Sequence, residues 1–234
     1  MARKTDDARL LAAWEQGSIA TAATRGAQIL ATLEGAPVDG PRSDGPAYVD
    51  LSLGTVDRLL LEFHLAEFGR ALEGYFGCPR CGEELEIEVD IEALLASPPP
   101  PPEGPGWRYP TPRMLQIAAA SVDPSAAIVE LAAGHREAGV AIDETRVALA
   151  DQLANADPLL DVQFGGTCVE CGSQVSTRLD VGSFLVAALG ERARRILIEV
   201  DRLARAYGWS ETDILAMSAL RRRRYLSLVG SGHG

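Results

Sequence analysis

Four cysteines stand in the chain as two C-x-x-C pairs, Cys78-Pro79-Arg80-Cys81 and Cys168-Val169-Glu170-Cys171, each followed directly by glycine. Two thiols three residues apart in a tight turn can point at one ion, and glycine allows the left-handed backbone such a turn needs. One pair fills only half of a tetrahedral shell. The residues after the pairs align without a gap at an offset of 90, CGEELEIEVDIEALL over CGSQVSTRLDVGSFLV, so that Leu85 matches Val175, Val89 matches Leu179 and Asp90 matches Asp180. The repeated unit reads as a knuckle, a strand with alternating apolar residues, and an aspartate placed to cap a following helix. None of the three histidines, His64, His135 and His233, is close in sequence to either pair. The expectation is therefore one Zn2+ held by Cys78, Cys81, Cys168 and Cys171, with the knuckles facing each other across a pseudo-twofold axis. Four free thiols, two local disulfides and a redox pair are the alternatives, the last lacking a thioredoxin-like sheet around it. A four-thiolate shell has no open position for water or substrate, so such a metal is structural. The insertion between the pairs is long for a zinc ribbon, whose second pair usually follows within about 20 residues.

Other chemistry is sparse. The chain contains no G-x-S-x-G, H-E-x-x-H or P-loop pattern, and the acids Glu84, Glu86 and Glu88 alternate with Leu85, Ile87 and Val89 as the wet face of a strand. These features do not describe an enzyme. The net charge of -11 over 234 residues argues against a polyanionic partner. One segment departs from it: between Glu191 and Tyr225 nine arginines face five acids. The run Arg221, Arg222, Arg223 and Arg224 is the candidate partner-binding surface. No apolar run is long enough for a bilayer, and Asp6, Asp7 and Arg9 interrupt the stretch where a signal peptide needs an apolar core, which implies a cytoplasmic protein.

The elements that must position these residues are mostly helical. Residues 6 to 33 read as helix, 35 to 50 as a Gly/Pro/Asp loop, and 55 to 73 as a central helix with a broad apolar face, either core or a contact surface. Eight of the fourteen prolines lie between Pro98 and Pro112, which predicts an extended linker. Helices are expected at 113 to 121, 124 to 133 and 143 to 155. Leu185, Leu189, Ala193, Ile196, Val200, Leu203 and Tyr207 recur every three or four residues, the mark of a long amphipathic helix ending at Gly208. Ser210 to Asp213 has capping-box spacing for a short helix, and a final helix carries the Arg run before a fraying GSGHG tail.

Three segments, 51 to 95, 156 to 185 and 200 to 229, together resemble baseplate hub assembly chaperone-like proteins of contractile-tailed phages and contractile injection systems. The AYGWSE and RRRYL elements are the most distinctive, and RYPTPRMLQIAAAS (108 to 121) resembles the central segment of that group. The first 50 residues have no counterpart. The resemblance carries the four family cysteines onto Cys78, Cys81, Cys168 and Cys171, and implies a cytoplasmic assembly factor or minor component acting on a baseplate or hub protein.

The reading that results is an α+β, mainly helical fold. Two zinc-knuckle β-hairpins form one ribbon-like element with long helices around it. The divisions are an N-terminal extension (1–50), a central helix with the first knuckle (51–97), a Pro-rich linker (98–112), a helical insertion (113–160), and the second knuckle with the C-terminal helices (161–230). The expected function is a zinc-stabilised binding or assembly protein, without membrane attachment. The competing reading is a nucleic-acid-binding zinc-ribbon regulator using Arg221 to Arg224.

Overall fold

A computed structural model describes residues 5–42, 45–103, 107–133 and 151–230. The N-terminal stretch forms two helices, α1 (Asp7–Ile19) and α2 (Arg25–Glu34), rather than one. The break comes where Ala20 turns extended and the Thr21 carbonyl accepts from the Thr24 and Arg25 amides instead of continuing the ladder. Asp6 caps α1, its carboxylate accepting from the Arg9 amide. The two helices cross tightly at Gly17, where a Cβ would lie 2.8 Å from Ile29 and 2.9 Å from Val186. Only glycine fits there without displacing its neighbours.

A short 3-10 turn (Tyr48–Asp50) leads into α3 (Leu53–Glu67), whose N-cap Ser52 accepts from the Thr55 amide. This helix is shorter than its apolar spacing suggests. The chain leaves it at Phe68 and Gly69, whose amides both donate to the His64 carbonyl, and residues 71–77 are strand β1 (Ala71–Gly77). Leu72, expected on the helix, instead lies fully buried opposite Val89 of β2 (Glu84–Asp90). Pairing with β2 wins because it satisfies a full ladder of backbone groups, which a continued helical face could not do for β2. The broad apolar face of α3 is core: Val56, Leu60 and Leu61 are buried, and Leu59, Phe63 and Phe68 pack against the same cluster.

After β2 come α4 (Ile91–Leu95), the extended proline segment, α5 (Pro112–Ala119), α6 (Pro124–Ala133) and the described end of α7, residues 151–156. The expected helix at 143 to 155 lies partly outside the described residues, as does the GSGHG tail beyond Gly230. The proline segment is tied down at its far end, where the Pro110 carbonyl accepts from the Leu53 amide and the Arg108 amide donates to Ala132. The second hairpin, β3 (Gln163–Thr167) and β4 (Gln174–Arg178), precedes the long α8 (Val181–Tyr207), the short α9 (Glu211–Leu215) and α10 (Ala219–Gly230). Gly208 takes the left-handed cap of α8, and the Ser210 side chain accepts from the Asp213 amide at the start of α9.

Helix α8 organises the interior. Its first half, through Leu185 and Leu189, joins the main core with α1, α2, α3 and the strands. Its second half packs Ile196, Val200 and Leu203 against Leu11 and Ile214. The Arg run is divided by this packing. Arg222 is 2% exposed and donates to Asp7, to Glu199 at 3.0 Å and to the Met217 carbonyl at 2.9 Å, while Arg221, Arg223 and Arg224 face solvent. Asp7 also receives Arg192 at 3.0 Å. Burial opposes ionisation of Asp7, but the two arginines outweigh it and hold the carboxyl below its usual value. α10 is thus bolted to α1 and α8 by charge as well as by apolar contact.

Removing one member of a buried ion pair strands the other, which typically costs about 3–5 kcal/mol, whereas an exposed substitution stays within about 0.5 kcal/mol. Arg222→Ala should therefore lower unfolding free energy by about 3 kcal/mol or more, and Arg224→Ala by less than about 0.5 kcal/mol, in urea titrations at pH 7. Equal effects of the two would contradict the division of the run.

Candidate metal centre

Each knuckle is built by the same local bonds. In the first, the Cys78 amide donates to the Glu83 carbonyl (2.7 Å) and the Gly82 amide to the Cys78 carbonyl (2.9 Å). In the second, Cys168 donates to Ser173 and Gly172 to Cys168, both at 2.9 Å. Gly82 and Gly172 both adopt positive φ, 79° and 69°, the conformation that closes the turn. Beyond the turns the hairpins keep the 90-residue offset: Gly77 pairs with Glu84, and Thr167 with Gln174. The aspartates at the strand ends repeat too. Asp90 caps α4 and Asp180 caps α8, and each accepts an arginine, Arg70 and Arg25 respectively.

The knuckles meet. Cys78 Sγ lies 3.7 Å from Cys171 Sγ, and Cys81 Sγ lies 3.7 Å from Cys168 Sγ. All four sulfurs fall within 4.8 Å of one another. A tetrahedral ion with metal–sulfur bonds of about 2.3 Å sets its sulfurs about 3.8 Å apart, whereas a disulfide needs about 2.05 Å. The spacing fits a metal ion shared between the pairs, and all four cysteines are free thiols. The hairpins form two separate two-stranded sheets joined at this point, not a continuous one.

The electrostatics of the cluster point the same way. Amides of Cys81 and Arg80, with the Ser173 hydroxyl, hold the Cys78 thiol down to about 6. Ser173 also lowers Cys171, its hydroxyl 2.9 Å from that sulfur. Cys81 is pushed up to about 12: the Glu83 amide, its largest single influence, favours the thiolate, but partial desolvation of the sulfur and its three neighbouring sulfurs together prevail. Four sulfurs this close cannot all carry charge without a cation among them. Cys78 and Cys168 are buried, Cys171 is half-buried and Cys81 is exposed, so the site lies near the surface with two ligands sealed beneath it. Ser173 was not singled out in the sequence, although it stands at the position of Glu83 in the other copy and two residues past a ligand.

The remaining candidates separate. His64 is buried on α3, its Nδ1 3.3 Å from the Gly69 carbonyl; burial, against that bond, lowers its basicity. It is a packed core residue. Beside Arg221 the structure gathers three aromatic rings: Tyr207 stacks on Trp209 at 4.5 Å, and Tyr225 stands edge-on to both. The Arg221 guanidinium lies 5.8 Å from the Tyr225 ring centre. Tyr225 follows the Arg run directly in sequence, whereas only the fold brings Tyr207 and Trp209 to it. A cleft of about 880 Å3 between α3, α5, α6 and the end of β4 was also unforeseen. Asp57 is half-buried at its wall, where desolvation pushes the carboxyl up to about 7; Arg178 opposes this, and Asp180 and Asp157 add to it. Among the described residues no helix is long and apolar enough to cross a membrane. No family model, curated protein or solved structure matches the chain.

Two measurements check these assignments. Elemental analysis should find close to one metal ion per chain, and Cys168→Ser should lose it as completely as Cys78→Ser. Chelation should lower the thermal midpoint by roughly 10 °C or more. Two ions per chain, or full retention after losing one pair, would contradict a shared site. Desolvation holds the Asp57 carboxyl at about 7 when folded, against its ordinary 3.8 when unfolded. Its contribution to stability is thus present below about pH 4 and lost as pH rises toward 7. Asp57→Asn should stabilise the protein at pH 8 and give no gain at pH 3.5; a gain independent of pH would refute the assignment.

Proposed function

We propose that the protein is a zinc-stabilised binding factor, not an enzyme, that holds or positions a baseplate or hub subunit during assembly of a contractile phage-tail-like particle in the producing cell's cytoplasm. The observation that carries the binding role is the sulfur cluster, four thiols from two hairpins that by themselves complete a tetrahedral donor set. Such a centre fixes shape and offers no open position for catalysis. Zinc is the ion that the donor set favours, because four thiolates in tetrahedral spacing suit a soft, redox-silent cation. Cys78, Cys81, Cys168 and Cys171 would hold it, with the Ser173 hydroxyl steadying the sulfur charge. The assignment to contractile particles is supported by the resemblance of the knuckle segments and the AYGWSE and RRRYL elements to the assembly group named above. In the C-terminal helix, Arg221, Arg223 and Arg224 remain available for an acidic partner. Arg222 is already engaged by Asp7 and Glu199.

One observation favours a second reading. Three clustered aromatic rings with Arg221 beside one of them, on a helix that also exposes Arg223 and Arg224, resemble the mixed stacking and charge by which single-stranded nucleic acids are held. The same rings also pack against the core formed by Ile196, Leu203 and Ile214, which accounts for their mutual contacts without a ligand.

Affinity purification of the tagged chain from a producing cell separates the readings. The expected result is co-purification of a baseplate or hub subunit, reduced several-fold by the triple change of Arg221, Arg223 and Arg224 to Gln, with metal content unchanged. A nucleic-acid role predicts instead a DNA or RNA shift whose affinity falls with salt at a log-log slope of about -3 for three phosphate contacts on duplex DNA. A salt-sensitive shift abolished by the same variant, with no subunit recovered, would overturn the assembly role.

A further inference from the structure

Among the described residues each sheet has two strands, so β2 and β3 each keep one edge without a strand partner there. Between these edges runs a groove of about 690 Å3, bounded by residues 84–88 of β2 and 163–167 of β3. Side chains along a strand alternate between its two faces. Five consecutive residues line each wall, so the backbones of both strands, and not one set of side chains alone, border the groove. An unpaired edge presents a row of N–H and C=O groups ready to pair with another chain, and exposed edges normally need covering or blocking.

We propose that this groove is a strand-acceptor site, which takes an extended basic segment of a partner protein and pairs it with β2 on one side and β3 on the other. The occupant would turn two separate hairpins into one five-stranded sheet. Each wall presents about five residues, the length of an ordinary strand, so the segment spans about 17 Å. Charge selects it. Glu84, Glu86 and Glu88 stand exposed along the β2 wall. That row repels a second copy of the same edge and attracts Lys or Arg at alternate positions of an incoming strand. The β3 wall carries Gly165 and Gly166, both exposed, so side chains do not obstruct the backbone there. Phe76 and Val175 supply an apolar lining for the residues between the basic ones. The turns of the two hairpins meet at the four cysteines, so the two walls converge at that end of the groove. This inference deepens the assembly reading, on which it rests, by naming the chemistry of the held segment.

The test uses the full chain purified with its metal and a capped heptapeptide carrying lysine at alternate positions with valine or threonine between them. Backbone amide spectra should show perturbation along both 84–88 and 163–167, with slowed hydrogen exchange in both strands. A peptide of identical sequence but N-methylated at alternate amides should bind at least tenfold more weakly. The triple change of Glu84, Glu86 and Glu88 to Gln, verified as folded by its amide spectrum, should weaken the lysine peptide fivefold or more. Equal binding of the N-methylated peptide, perturbation of one wall only, no binding, or an unaffected triple variant would each overturn the proposal. None of those outcomes bears on co-purification of a subunit, so the two readings fail separately.

Discussion

The convergence of four sulfurs is the constraint on which the two hairpins depend. Neither hairpin is more than two strands wide, and isolated two-stranded ribbons are at best marginally stable in water. Each rests its inner face on the core through Leu72, Val89, Leu179 and the half-buried Phe164. At the turns a small cluster of the cysteines with Val175, Leu85 and Phe76 packs between them. The turns therefore meet mainly at the four sulfurs, and an ion bound by all of them would close a loop of about 90 residues. A constraint over so long a loop removes much freedom from the unfolded chain.

From that joint the helices radiate. Asp90 and Asp180 sit where a strand becomes a helix, and each serves as a cap and as a partner for an arginine from elsewhere in the chain. α8 thus begins at the second hairpin and runs 27 residues to Tyr207, linking the knuckle region to the C-terminal helices. The Asp7, Arg192, Glu199 and Arg222 network closes the far end of this frame. The molecule is held at one end by sulfur and at the other by charge, with the apolar core between them.

The parts of this architecture written in local chemistry were legible in the sequence. A C-x-x-C turn needs its glycine within the turn, a capping aspartate acts within three residues, and the apolar stripe of α8 repeats every helical turn. The ninety-residue repeat then allowed two half-sites to be read as one. Features that depend on distant partners were not legible. Leu72 has spacing compatible with a continued α3, and only its place opposite Val89 decides for β1. The four consecutive arginines look alike in one dimension. Arg222 differs from its neighbours because Asp7, 215 residues away, happens to face it. Ser173 and Asp57 belong to the same class, since their importance comes from sulfurs and a cleft wall that other segments supply.

The central claim is a single ion bound by all four cysteines. X-ray absorption at the zinc edge of the purified protein tests it most directly. The account predicts four sulfur scatterers at about 2.3 Å and no nitrogen or oxygen ligand. A shell of two sulfurs with two lighter atoms would contradict it, because each knuckle would then hold its own ion or borrow ligands from elsewhere.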